Sequence, residues 1–272
     1  MKHVLKVYRA ERYSPNSEER DRAILDAVGR IMARQGLNVT GTDEDMLTAD
    51  TPADIIISMA RSAEALTALD AIGRRGATVV NSPDGVRACR RSTADRLMRA
   101  NDLPAAPLSG TDGYWIKRGD EAAQQRDDIL FAKNEEEKEQ AIAHLKARGI
   151  SDIVVTAHVN GDLVKFYGVA GTGFFRTFRH SDGDYSKFGD EAVNGRQHSY
   201  GFSTADVHAA ANRLAELTGT DVYGGDCIIR KDGTFAIIDF NDWPSFAKCR
   251  DEAAEAIAEA VTAKARLKTI KR

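Results

Sequence analysis

Cysteine is scarce and scattered. Cys89, Cys227 and Cys249 are three in 272 residues, and no two stand in a CxxC arrangement. Neither a disulfide framework nor a thiolate metal site follows, and a reducing cytoplasm is the natural setting. No apolar stretch approaches the roughly 20 residues of a membrane span, and the opening MKHVLKVYRAERY lacks the apolar core of a signal peptide. An excess of one charge is missing too. With 38 basic and 41 acidic residues the net charge is −3, so no general attraction to nucleic acid or anionic membrane is expected. There is no internal repeat. What remains, 42% hydrophobic and 29% charged residues, suits a globular protein able to bury a large core in more than one unit.

The first third alternates between short apolar runs and amphipathic ones. HVLKVYR, NVTGTD, ADIIISMAR and ATVVNSP read as strands. DRAILDAVGRIMARQG and SAEALTALDAIGRRG read as helices stopped by Gly36 and Gly76, the second with Ser62 as cap. This β-α-β-β-α-β order predicts a small α/β unit with a mainly parallel sheet. DGVRACRRSTADRLMRAN predicts one helix before the Pro-marked turn DLPAAPLSG. Further strands follow in YWIKRGD, DILFAKN, DIVVTAHV, DLVKFYGVAG and GFFRTFR, with helices in EEEKEQAIAHLKARG, TADVHAAANRLAELTG and RDEAAEAIAEAVTAKARLK.

GGDCIIRKDGTFAIIDFNDWPSF, residues 224–246, is the most informative stretch. Asp232-Gly233 between two apolar runs predicts a hairpin with a two-residue loop. Lys231 then faces Thr234, Asp226 lies opposite Asp239, and Asn241 shares the face of Asp239. Opposed like charges repel unless a cation or a shared proton lies between them. Two carboxylates and an amide oxygen form a donor set suited to Mg²⁺. Gly224, opposite Asn241, is expected to leave the face open, and Ile228 and Ile237 on that face make it a core or cleft floor. The alternative is three polar residues on a solvated sheet face.

The pattern Asp226, Asp239-x-Asn241-x-x-Pro244 ending a C-terminal hairpin resembles the ATP-grasp superfamily. The likeness is nearest to ligases that attach amino acids to carboxylates, such as ribosomal-protein glutamate ligases and glutathione synthetases. VVNSPDGVRACRRSTADRLMRANDLPAAPL, YWIKRGD and DIVVTAHVNGDLVKFYGV resemble family segments in the same order, so the resemblance covers nearly the whole chain. It implies an α/β (α+β) fold: a small parallel N-terminal domain, residues 1–88, then two subdomains, 89–155 and 156–272, that clasp the nucleotide. Asp226, Asp239 and Asn241 would hold Mg²⁺, with Mn²⁺ as the alternative ion. Lys117 would meet the α-phosphate and adenine side of ATP. Thr156, Ala157, His158 and Val159 would flank adenine, with Asp162 on the ribose. Lys165 would reach phosphate or substrate, or be an ordinary strand lysine. Arg176 and Arg179 alternate wrongly for one face, so one of them, Arg179 by preference, would act. The family's lysine before the first turn is replaced by Arg90 or Arg91, of which Arg91 is taken as the nucleotide contact.

Two further departures stand out. The family's carboxylate-x-Asn begins with Glu, whereas Asp239 reaches less far. The lid expected after YWIK is RGDEAAQQRDDIL, whose single glycine limits a backbone cradle, so Arg118 and Arg126 are expected to grip phosphate by side chain. The resemblance implies a cytoplasmic ligase that joins a carboxylate to an amine through an acyl phosphate, with ATP and Mg²⁺ as cofactors. Its partners would be amino acid or peptide substrates, met in residues 180–203 with Tyr185, Lys187 and Arg196, and other copies of the chain. The alternatives are a small-molecule kinase resembling inositol phosphate kinases and a nucleotide-binding module without catalysis. His158, His180 and His198 stand isolated, as structural or surface histidines do.

Overall fold

Three runs of short strands close into three sheets, each with its own helices. The computed structural model describes residues 2–15, 17–121, 123–179, 193 and 195–270. In the first sheet, β1 (His3–Tyr8), β2 (Asn38–Asp43), β3 (Ile55–Ser58) and β4 (Thr78–Val80) lie in the order β2-β1-β3-β4, every pair parallel. The crossover helices α1 (Glu18–Arg34) and α2 (Ala63–Arg74) cover opposite faces. Alternation along β1 shows why. Val4 joins Ile24, Leu25 and Val28 of α1, whereas Leu5 and Val7 join Leu66, Leu69 and Ile72 of α2. The Ser62 side chain accepts from the Ala65 N–H and starts α2 as the sequence predicts.

The single helix expected over residues 84–101 is two, α3 (Pro83–Ala88) and α4 (Arg91–Ala100). Arg90 between them is extended, with ψ 136°, and the break turns α4 toward the later sheets. In the second sheet β5 (Tyr114–Arg118) lies between β6 (Ile129–Ala132) and β7 (Ile153–Ala157), all antiparallel. The helix α5 (Glu135–Ala147) covers the face bearing Tyr114, Ile116, Ala132 and Ala157. Trp115, Lys117 and Thr156 alternate to the other face.

The third sheet, order β11-β10-β8-β9, is antiparallel: β8 (Asp162–Val169), β9 (Phe174–Arg179), β10 (Val222–Ile229) and β11 (Phe235–Asp242). One face, with Phe166, Tyr223, Cys227 and Phe240, packs on α6 (Thr204–Thr218). On the other, Val169 and Val222 join the core of the first sheet, and Leu163 and Ile228 form a small separate cluster. Between those apolar patches runs one polar row, Lys165, Asp226 and Asp239. The long helix α7 (Arg250–Ile270) returns to the first sheet and packs Ala253, Ile257 and Val261 against α1.

Asn81, just past β4, fastens the first sheet to the third. Fully buried, it accepts from the N–H groups of Asp221 (2.9 Å) and Val222 (2.8 Å) and donates to the Val222 carbonyl (2.7 Å). Removing a partner from a buried polar group costs about 1–3 kcal/mol. Asn81→Ala should therefore lower stability by about 2–4 kcal/mol. Urea unfolding measures it, and a loss below about 0.5 kcal/mol would mean that the staple is dispensable.

Candidate functional site

The hairpin reaches the predicted pairing by an unexpected route. Arg230, not Lys231, pairs with Thr234, and Gly233 takes a left-handed φ of 83°. The loop thus has three residues, and Ile229 lies opposite Phe235 and Cys227 opposite Ile237. A bulge at Ile238 then restores the count, so Asp226 faces Asp239 and Gly224 faces Asn241. Two expectations are corrected by this bulge and its surroundings. Ile237 turns to the Cys227 face, and Ala236 and Ile238 join Ile228 instead. Nor is the space over Gly224 open: a Cβ there would come within 2.7 Å of Pro244 and 2.9 Å of Tyr167, so glycine is needed for their approach.

Cations converge on the two carboxylates from three other elements. Lys165 of β8 lies beside Asp226 in register, its Nζ 3.1 Å from Oδ1. Arg91, first residue of α4, places Nε 3.6 Å from Asp239 Oδ1 and donates from Nη1 to the Arg118 carbonyl at 2.5 Å. Lys117 of β5 donates to the Ile238 carbonyl at the bulge, 3.2 Å. The Asn241 amide donates to Asp239 Oδ2 at 3.1 Å. Burial by itself would raise the Asp239 carboxyl. Arg91, Lys117, the Asn241 amide and Lys165 outweigh it and hold its pKa below the ordinary carboxylate value. Among the described residues no three or more His, Cys, Asp or Glu side chains form a metal cage. Two carboxylates with the Asn241 oxygen still fit Mg²⁺, which is commonly held by one or two carboxylates and completed by water and substrate phosphate.

Two cavities meet at Arg91. One is a narrow slot between the second and third sheets, walled by Ala94, Met98, Val154 and Phe240 with Thr156, and charged by Lys117, Arg91, Asp95 and Asp239. Apolar walls with a few convergent charges are the usual build of a small-ligand site. The other is wider, opens toward the first sheet and takes in Arg61, Arg90, Asp239 and Asn241.

Of the residues expected at the site, Arg91, Lys117, Thr156, Lys165, Asp226, Asp239 and Asn241 are brought to this region. Others are placed elsewhere. Ala157 faces α5, and Val159 packs with Leu163 and Ile228. The His158 ring accepts from Trp115 Nε1 at 3.1 Å and packs against Phe131. Burial lowers its pKa against the raising effects of Asn160 and Asp112. Asp162 is wholly buried, its carboxylate taken by the N–H groups of His198 (2.6 Å) and Tyr200 (2.7 Å) and by Arg179 (3.1 Å). Its expected ribose contact has no such carboxylate to draw on. Arg179 is spent on Asp162 and the Tyr200 carbonyl. Arg176, in the row of Asn241, Gly224 and Tyr167, has the cleft-face register instead and pairs with Glu252 of α7. Both arginines are thus engaged by carboxylates of this chain, Arg179 by Asp162 and Arg176 by Glu252.

The lid expectation changes as well. Arg118 is held by Asp120 (2.6 Å) and Glu121 (3.5 Å) of its own loop rather than turned outward. Arg126 opens a short 3-10 turn ending in the buried Asp128. That carboxylate accepts from the N–H groups of Gln124 and Gln125 and from Arg148. Of the expected substrate segment, Arg196 is exposed, and Tyr185 and Lys187 lie outside the described residues.

A buried ionic cluster behind the hairpin went unforeseen. Asp242 accepts from Arg61 Nη2 at 2.7 Å and pairs with Arg9 at 3.5 Å, and Arg9 also holds Asp21 at 3.0 Å. Arg9, Arg61 and Asn81 all follow the C-terminal ends of parallel strands. That edge is where open α/β sheets place their ligand-facing groups, which was the available signal.

Solved structures share this fold along almost the whole chain. A RimK domain ATP-grasp protein of Sphaerobacter thermophilus is 16% identical over 95% of this chain and 99% of its own, with a TM-score of 0.66. The fold is ATP-grasp. D-Alanyl-alanine synthetase A of Vibrio cholerae, 11% identical, covers 97% and 98% of the two chains with a TM-score of 0.69. D-Alanine–D-alanine ligase of Bacillus anthracis, solved with ATP, is 8% identical over all of both chains with a TM-score of 0.68. No family model and no curated protein matches the sequence. In the ATP-grasp fold of this chain, the second and third sheets are the two walls of the slot.

Two outcomes follow from this geometry. On the expectation that the slot takes ATP, Lys117→Met should weaken its binding at least about tenfold, the worth of one charge-assisted contact, whereas Lys133→Met should change it little. Equal small effects in calorimetry would reduce Lys117 to a strand residue. For Asp128, burial raises its pKa but Gln124 N–H, Arg148 and Gln125 N–H outweigh it, so the folded value lies below the unfolded one. Its stabilisation is complete above the unfolded value, about 4, and is lost as pH falls through the folded one. Asp128→Asn should thus cost about 1–3 kcal/mol at pH 7 and progressively less below pH about 4. A difference independent of pH would contradict this.

Proposed function

We propose that the chain is an ATP- and Mg²⁺-dependent ligase that joins a carboxylate to an amine. The observation that carries the reading is the opposed pair Asp226 and Asp239, with Asn241, ringed by Lys165, Arg91 and Lys117 at the mouth of an apolar slot. On this reading the units are residues 1–88, 89–155 and 156–272, with α7 lent to the first. The substrates are small, an amino acid or peptide carboxylate and an amine.

Thr156 and the apolar slot walls hold the base, and Lys117 and Arg91 hold the phosphates. Asp226, Asp239 and Asn241 would carry Mg²⁺, which when bound neutralises charge on the phosphates. A substrate carboxylate oxygen attacks the γ-phosphorus and ADP leaves, giving an acyl phosphate. The amine then attacks the acyl carbon, phosphate leaves, and the amine's proton passes to solvent. The protein's part is positioning and electrostatic preorganisation. Lys165, beside Asp226, keeps a positive charge next to the transferring group.

Hydroxylamine trapping tests the reading. With ATP and Mg²⁺, a ligase yields a hydroxamate from its carboxylate substrate. ADP release with a phosphorylated alcohol and no hydroxamate would make the chain a kinase instead. Asp239→Asn keeps the side chain's size but gives up the attraction of Arg91, Lys117 and Lys165, so it should cost some stability, read by urea unfolding, and lose most Mg²⁺-dependent ATP affinity. Unchanged Mg-ATP affinity and turnover in that variant would sink the metal assignment.

A further inference from the structure

The wider cavity beyond Arg91 has a wall that the proposed reaction leaves unused. The reacting carboxylate belongs at its Asp239 and Asn241 end, next to the transferred phosphoryl group. Arg61 and Leu66 from the first unit, and Arg90 before α4, form the rest of the wall that matters here.

Most charges around this cavity are already matched. Arg87 is held by Asp70 and Asp84, and Arg91 by Asp239. The lid acids Asp120 and Glu121 hold Arg118, and Asp242 is shared by Arg9 and Arg61. Two groups stand apart. Arg90 is exposed, and its side chain has no hydrogen bond or ion pair among the described residues, its backbone alone bonding Arg87 and Ala94. Arg61 is fixed by Asp242 through Nη2, yet its buried Nε has no hydrogen-bond partner among the described residues. A buried N–H without an acceptor carries a desolvation penalty and asks for an explanation. Arg61 and Arg90 both line the cavity, and a guanidinium is well shaped to bind an anion that enters it.

We infer that the carboxylate substrate carries a second anionic group, held by Arg61 of the first unit and by Arg90, just before α4, on the wall of this cavity away from Asp239. The assignment rests on the ligase reading for which carboxylate reacts, but the anion site can be tested without turnover. Glutarate and valerate have the same chain length and differ in one carboxylate. Titrated calorimetrically into the full chain with ADP and Mg²⁺, glutarate should bind at least about tenfold more tightly. Arg90→Gln should remove that advantage, and this exposed position puts no packing at risk. Arg61→Gln should do the same, with urea unfolding run alongside because Asp242 loses a partner. Equal affinity for the two acids, or an advantage that survives Arg90→Gln, overturns the inference. In the hydroxylamine assay, equal kcat/KM for both acids overturns it too while leaving the ligase reading intact. Selective, Arg90-dependent glutarate binding with no hydroxamate upholds the anion site and removes the ligase reading alone.

Discussion

Two carboxylates set opposite one another on neighbouring strands have to be neutralised, and the way this chain does it ties its sheets together. Unit charges about 5 Å apart repel by roughly 3 kcal/mol at an effective dielectric near 20. Asp226 and Asp239 occupy such positions on a face flanked by apolar clusters. Lys165 comes from the same sheet, Lys117 from the second and Arg91 from the helix that links the first unit to both. Each cation offsets part of the repulsion, and each is drawn from a different segment. The like-charge pair thus acts as an organising centre rather than a defect, and its depressed Asp239 pKa shows that the cations prevail over burial.

The second ionic centre lies immediately behind the first. Arg9 and Arg61 clasp Asp242, one residue beyond Asn241, so the strand that carries two donor groups is anchored to the first sheet. Removing one member of a buried ion pair typically costs about 3–5 kcal/mol, because the other charge is left unmatched. Asn81 anchors the adjacent strand β10 by neutral hydrogen bonds. Neither strand is left to set its position by its own ladder alone.

Much of this was legible in the sequence. The β-α-β-β-α-β order of the first unit follows from periodicity, since β1, β3, β4 and both helices bury apolar sets, although β2 at the sheet edge buries none. The pairing of Asp226 with Asp239 was read correctly through two compensating differences, a longer loop and the Ile238 bulge. Asp-Gly suits either loop length, and alternation carries no mark of a bulge; hence Ile237 was set on the wrong face. Asp162 and Arg179 were misplaced for another reason. A carboxylate at a strand start reads alike whether it meets solvent, ligand or two backbone N–H groups from a distant segment. The glycine-poor loop after β5 holds its form through the Asp128 cap, which no local propensity announces. The likeness in fold to solved ATP-grasp structures persists at 8–16% identity, which is what a layout fixed by burial pattern and a few charges allows.

The return of α7 to the first sheet has a consequence for how the chain is made. Val4, Ile24, Val28, Ile57, Ala253, Ile257 and Val261 share one apolar core, although the earliest and latest of them are separated by most of the sequence. As the polypeptide leaves the ribosome, α1 can pack on Val4 and Ile57 of the first sheet, but the side of it that meets α7 stays uncovered until the second and third sheets have been translated. Such long-range closure slows folding and exposes sticky surface meanwhile. The alanines of α7 that meet this core, Ala253, Ala254 and Ala258, suit a late partner: small side chains slide into a formed groove with little rotamer entropy to lose.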